Sequence, residues 1–265
     1  MIRVTHLAKQ FRRATNQHWW RRSEEIVPAV KDISFTAEDG TITGLLGANG
    51  AGKTTTLRMI ATLLRQDAGQ IVIDGESVEA GKQSAQHAQA RMGVLTDARG
   101  LYPRLTAREN ITYYGVLHGF SREAADERAS YLGRELGMTA LLDRRCDGFS
   151  QGEKMKAALA RALVHDPKNI ILDEPTNGLD VMATRALREF LAWLRSPAGG
   201  SKCIIFSTHI MQEVERLCDH VVVVADGITV AQGTVAGLLA TSGETDFEDA
   251  FVRLVMASTS GQSSC

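Results

Sequence analysis

Eight consecutive residues, Gly47-Ala48-Asn49-Gly50-Ala51-Gly52-Lys53-Thr54, constrain the fold of this 265-residue chain more than any others. They satisfy the pattern G-x-x-x-x-G-K-[ST] at every defined position. The β-branched run Thr41 to Leu46 enters the loop as a strand, and the helix-like run Thr54 to Leu64 leaves it. Glycines let the backbone curl until successive N–H groups face one point, which suits a phosphate. The helix that follows turns its positive dipole end toward the same anion. Lys53 supplies a mobile full charge for β- and γ-phosphate oxygens, and Thr54 a hydroxyl that can ligate Mg2+.

Other short β-branched runs read as strands: Ile2-Arg3-Val4, Ile33 to Thr36, Ile71-Val72-Ile73, Ile170-Ile171-Leu172, Cys203 to Ser207 and Val221 to Val224. Helical patterns lie between the later ones. Lys154 to Val164 spaces Ala and Leu helically, and Val181 to Leu194 puts Leu187, Phe190, Leu191 and Leu194 on one face. Alternating strands and helices predict an α/β fold with a largely parallel sheet. From about Ala98 to Phe149 the pattern is helical, as in Arg108 to Leu117 and Arg122 to Leu136, and reads as an insertion. The small polar residues Ser258 to Ser264 read as a disordered tail.

Composition narrows the function. An apolar share of 44% supports a sizeable core, so the chain is not wholly disordered. Thirty basic against thirty-one acidic residues argue against a dedicated nucleic-acid binder, and no nucleic-acid partner is expected. Cys146, Cys203, Cys218 and Cys265 show no Cys-x-x-Cys spacing, so reduced thiols in a reducing cytosol are expected. No stretch approaches the ~18 apolar residues of a membrane span, and Met1 opens no signal-peptide pattern. The chain therefore reads as soluble, or as a peripheral part of a membrane assembly. Arg12 to Glu25 sets Arg12, Arg13, Arg21 and Arg22 around Trp19-Trp20. Contact with lipid headgroups is one reading. The favoured one is a solvated loop or a hairpin extension between two early strands, because a long amphipathic period is missing.

Asn169-Ile170-Ile171-Leu172-Asp173-Glu174-Pro175 is an apolar strand ending in two acids, at the strand edge where such sheets bind ligands. Asp173 is a candidate Mg2+ ligand alongside Thr54, and Glu174 a candidate base for water attacking a γ-phosphate. Phe149-Ser150-Gln151-Gly152-Glu153 opens a helix, with Ser150 as N-cap and Glu153 completing a capping box. A helix start with a serine and a glycine is also a place for an anion. Asn177-Gly178-Leu179-Asp180 follows the paired acids, and Ser207-Thr208-His209 ends a strand.

This order of motifs resembles the nucleotide-binding domain of ATP-binding cassette (ABC) proteins over roughly Ile2 to Val235. The phosphate loop is Gly47 to Thr54 and the signature Phe149 to Glu153. Walker B with its catalytic glutamate is Ile170 to Glu174, the D-loop Asn177 to Asp180 and the switch histidine His209. The resemblance implies a P-loop NTPase (ABC ATPase) core with a mostly parallel sheet, an antiparallel β subdomain and a helical subdomain inserted at about 98–150. It implies one domain over 1–240 and a C-terminal helical extension in 241–265. Two places depart from the family pattern. The signature keeps Ser150 and Gly152 of Leu-Ser-Gly-Gly-Gln but changes the rest, and Asp97 stands where the Q-loop glutamine is expected. A carboxylate there binds Mg2+ or water but cannot donate as an amide does.

The resemblance further implies an ATPase working with Mg2+. Gly47, Asn49, Gly50, Ala51, Gly52, Lys53, Thr54 and Thr55 would contact the nucleotide, with Thr54, Asp173 and Asp97 toward the metal. Glu174, His209 and Lys53 would be catalytic, and Phe11 would stack on adenine, with Trp19 or Trp20 as alternatives. Ser150 and Gly152 would close over ATP held by a second subunit, in a homodimer. Leu95 to Asn110, Leu179 to Arg185 and Asp246 to Phe251 are similar to the NatA-like branch of ABC-2 type exporters, which are associated with Na+ extrusion. That implies an integral membrane permease partner and a place on the cytoplasmic face of the plasma membrane. The alternative is a soluble ABC ATPase acting on ribosomes or DNA. Such relatives carry paired cassettes, coiled coils or zinc-binding insertions, none of which is read here.

Overall fold

The computed structural model describes residues 1–18, 21–96 and 100–262, with backbone alone at 13–18, 21–24 and 259–262. In chain order the elements begin with β1 (Ile2–His18), β2 (Arg21–Ala37), β3 (Ile42–Leu46), α1 (Lys53–Ile60), β4 (Ala68–Ile73), β5 (Glu76–Val78), α2 (Gln83–Gln89) and β6 (Met92–Leu95). Then come α3 (Ala107–Leu117), α4 (Arg122–Glu135), α5 (Gln151–Leu163), β7 (Asn169–Asp173), α6 (Val181–Arg195), β8 (Cys203–Thr208) and α7 (Met211–Leu217). The chain ends with β9 (His220–Ala225), β10 (Ile228–Gly233), α8 (Val235–Ser242) and α9 (Phe247–Gln262). They fall into two compact units.

The first unit comprises Met1–Glu38, Thr43–Gln86 and Ser207–Cys265. Its strands run in the order β5-β4-β1-β2-β10-β9-β3. β5, β4, β1 and β2 pair antiparallel, the β subdomain expected from the family resemblance. β3 lies parallel to β9, from Thr43↔His220 to Leu46↔Val223. All five residues of β3 are buried, as a strand covered on both faces must be. Leu46, Val214, Val221, Val223, Leu238, Phe247 and Ala250 form one core of this unit. Phe247 and Ala250 anchor α9 there, and the helix continues to Gln262. α9 includes Ser258 to Gln262, the first part of the stretch expected as a disordered tail, and the remainder of that stretch lies outside the described residues; a helix started on a buried face propagates cheaply into polar sequence. Of the segment Arg12 to Glu25, the described residues pair as antiparallel strands as far as His18↔Arg21.

The second unit comprises Asp39–Ile42 and His87–Phe206. Its strands run β8-β7-β6, with β6 and β7 parallel from Met92↔Asn169 to Leu95↔Leu172. Every residue of β7 is buried. α3 packs on α4, and both pack on α5. α6 buries Leu187, Phe190, Leu191 and Leu194, the face its sequence period predicts. The helices expected as an insertion thus share a unit with β6 and β7.

Candidate functional site

The first unit contributes the phosphate loop. β3 delivers Gly47, whose N–H donates to the Thr208 carbonyl at 3.4 Å. A Cβ on Gly47 would collide with the Val224 carbonyl oxygen, so only glycine fits. Gly52 sits at φ +104°, and a Cβ there would lie 2.7 Å from the Ala29 carbonyl oxygen. Ala48, Asn49 and Gly50 are exposed, and Thr54 and Thr55 are half-buried in the first turn of α1. α1 begins with no side-chain cap and no acidic residue in its first turn. Its leading N–H groups and dipole therefore face the loop without a competing side-chain acceptor at the cap.

Lys53 is 4% exposed, and its ammonium donates to the Gly47 and Ala48 carbonyls at 2.7 and 3.0 Å. A charge this buried requires oxygen partners, and triphosphate oxygens are stronger ones than carbonyls. His209 follows the end of β8 and is exposed, directly after the carbonyl that accepts from Gly47. Sequence reasoning missed what positions it. The buried Thr208 hydroxyl donates to Glu213 Oε2 at 3.0 Å and accepts the Ile210 N–H at 3.0 Å. A threonine before the histidine and an acid four residues after it were the available signal. Phe11 is 42% exposed, opposite Val27 in the ladder, with the Lys9 ammonium 5.8 Å from its ring centroid. Trp19, Trp20 and Asp97 lie outside the described residues.

The second unit contributes the acids and the signature. Asp173 ends β7 and is 8% exposed. Glu174 follows at φ +45°, a left-handed conformation that a non-glycine residue holds only when its surroundings impose it. Asn177 is part of that imposition. Its N–H donates to the Glu174 carbonyl at 3.1 Å, and its side-chain amide reaches Glu174 Oε2 at 3.4 Å. Asp180 caps α6 by accepting the Ala183 N–H at 2.8 Å.

Ser150 is an exposed N-cap of α5 in a complete capping box. Its hydroxyl accepts the Glu153 N–H at 3.2 Å, and Glu153 accepts the Ser150 N–H at 2.7 Å. The Ser150 backbone N–H, with the Arg144 guanidinium 3.2 Å away, holds the Glu153 carboxyl below its ordinary range. That explains the glutamate at the end of the altered signature. The buried Phe149 at its start packs under Arg144, whose guanidinium lies 5.5 Å from the ring centroid. A Cβ on Gly152 would meet only ordinary contacts, 3.6 Å from Ala183 Cβ and 3.9 Å from Leu179 Cδ2. Nothing within this unit demands glycine there.

The donors suit Mg2+ chemically: the Thr54 hydroxyl and the Asp173 carboxylate are hard oxygens. Among the described residues, no group of three or more His, Cys, Asp or Glu could hold a metal by itself.

Comparison with known proteins agrees with this inventory. The sequence model of the ABC transporter family matches residues 30–177. The chain is 41% identical over 253 residues to the ABC transporter ATP-binding protein NatA of Bacillus subtilis, covering 95% of this chain and 97% of that one. It is 41% identical over 210 residues to the Nod factor export ATP-binding protein I of Burkholderia lata, covering 79% of this chain and 67% of that one. A solved ATP-binding subunit of an ABC transporter superposes with TM-score 0.79 at 26% identity, over 96% of this chain and 99% of the other. A dimeric ATP-binding cassette bound to ADP and Pi superposes with TM-score 0.77 at 22% identity, over 88% and 98%, and shares the fold. The chain belongs to the ABC transporter family, as an ATP-binding subunit with ATPase activity.

Proposed function

We propose that this subunit hydrolyses ATP to drive an exporter, pairing with a second copy of itself and docking on a separate membrane permease. The carrying observation is the end of β7, where Glu174 is held at φ +45° directly after the buried Asp173. That is the residue pair hydrolysis needs beyond nucleotide binding. Lys53 and the N–H groups at the start of α1 hold the phosphates. Thr54 and Asp173 hold Mg2+, which when bound neutralises charge on the phosphate oxygens. Glu174 takes the proton of the attacking water, and His209 steadies the γ-phosphate. Phe11 is the stacking surface for adenine.

Ser150 and Gly152 act on the nucleotide of the partner copy. The exposed serine cap and the room around Gly152 support that role. Gly178, at φ +76°, and Asp180 lie in the turn that would link the two nucleotide positions. The exporter reading draws on the relative named for Nod factor export and on NatA. Sodium is the first cargo to test, from the likeness of Leu95 to Asn110 and Leu179 to Arg185 to the NatA-like branch. No helix among the described residues is long and apolar enough to cross a membrane.

The test is affinity purification of the tagged chain from detergent-solubilised membranes. The expected companion is a protein with about six spans of ~20 apolar residues. Recovery with ribosomes or DNA instead, with no such protein, contradicts the reading.

A further inference from the structure

Within the second unit, a cavity of about 240 Å³ opens where the C-terminal halves of α4, α5 and α6 meet, and ATP turnover makes no use of it. Arg128 and Tyr131 reach it from α4, Leu163 from the last turn of α5 and Trp193 from the last turn of α6. Asp166 and Lys202 complete it from the segments that lead into β7 and β8. Ligand cavities join apolar walls to a few placed polar groups, and this one has both. Tyr131 and Trp193 supply flat aromatic walls.

The polar groups carry a surplus of positive charge. Lys202 is 7% exposed, and its ammonium donates to the Asp166 carbonyl at 3.3 Å and to Asp166 Oδ1 at 3.1 Å. The same Oδ1 accepts from Arg128 Nη2 at 3.4 Å. Arg128 Nε donates to the Val164 carbonyl at 3.2 Å, and the guanidinium lies 5.1 Å from the Tyr131 ring centroid. Arg128 and Lys202 set against Asp166 leave one unbalanced positive charge. The third Lys202 proton and the protons on Arg128 Nη1 have no acceptor among the described residues. A buried ammonium calls for oxygen partners, so an added acceptor is favourable there. Gly200, at φ +92°, gives the lysine its path: a Cβ there would lie 3.2 Å from Lys202 Cε.

We propose that this cavity binds a small monoanion, a single planar ring bearing a carboxylate. One unbalanced positive charge matches one negative charge. Guanidinium and ammonium donors suit carboxylate oxygens, and the walls of Tyr131 and Trp193 suit a flat ring. Volume sets the limit of one ring: a cavity of about 150 Å³ takes benzene. About 240 Å³ therefore takes one ring with its carboxylate. The site does not depend on the exporter reading, because neither a permease nor a nucleotide takes part.

The experiment is a titration of Trp193 fluorescence with benzoate, benzamide and acetate. It uses the full chain with Trp19→Phe and Trp20→Phe, which leaves Trp193 as its one tryptophan. The expected result is a saturable change with benzoate. Binding should be about tenfold weaker or more for neutral benzamide, for acetate, and for benzoate on the Lys202→Gln chain. Saturating ATP with Mg2+ should leave the benzoate curve in place. No saturable change, equal binding of benzamide or acetate, or full binding by the Lys202→Gln chain overturns the proposal. Displacement of benzoate by ATP overturns it as well, since that places the anion on the phosphate loop. The comparison of benzoate with benzamide reads the charge contact even if Lys202→Gln fails to fold.

Discussion

Single residues hold strain and charge where the chemistry needs them. Glu174 pays for its left-handed backbone with the bonds from Asn177, and the result is a carboxylate of fixed direction after Asp173. Glu174→Gln keeps the shape and would remove the proposed base. Turnover should fall roughly a hundredfold to ten-thousandfold while ATP affinity stays within about twofold. A steady-state assay beside a calorimetric titration checks both; near-normal turnover would refute the assignment. Gly47 is constrained by packing instead. Gly47→Ala drives a methyl into the Val224 carbonyl and should cost about 3 kcal/mol or more of stability. An unchanged thermal midpoint would show that the approach of β3 to β9 is looser than described.

At the scale of elements, legibility followed burial. β3, β7, β8 and β9 are continuous apolar runs because both faces or nearly all residues are covered, and the sequence displays them plainly. β10 is mostly half-buried, β5 is three residues long, and β1 turns polar after Ala8, so period and hydropathy hide the first two and the far part of the third. The motif loops were legible because their chemistry admits few residue types; the bonds that hold them were not, since Asn177–Glu174 and Thr208–Glu213 are set by folding.

The junction of α3 with α5 was equally hidden. There the His118 and His165 rings stack at 3.7 Å and 2°, with His165 Nε2 3.1 Å from the Met92 carbonyl. Burial, then the neighbouring His118, pushes His165 down to about 4, and burial lowers His118 too. The unfolded chain, near 6.5, takes up the proton first. Stability from neutral His165 is therefore complete above pH 6.5 and drains away as pH falls toward 4, by up to about 3 kcal/mol. Chemical denaturation across that range should show a shallower decline for His165→Gln than for the unaltered chain. Parallel declines would remove His165 from the acid response.

For the whole molecule, the central claim is that ATP joins two copies, gripped by Lys53 of one and Ser150 of the other. Losing the Ser150 cap costs only about 1 kcal/mol of fold stability, so its effect on pairing is separable. The most direct measurement is sedimentation of the Glu174→Gln chain with ATP and Mg2+. The expected result is monomer without nucleotide, dimer with ATP, and monomer again with ATP once Ser150→Ala is added. A chain that stays monomeric with saturating ATP, or a dimer indifferent to ATP and to Ser150, would contradict the account.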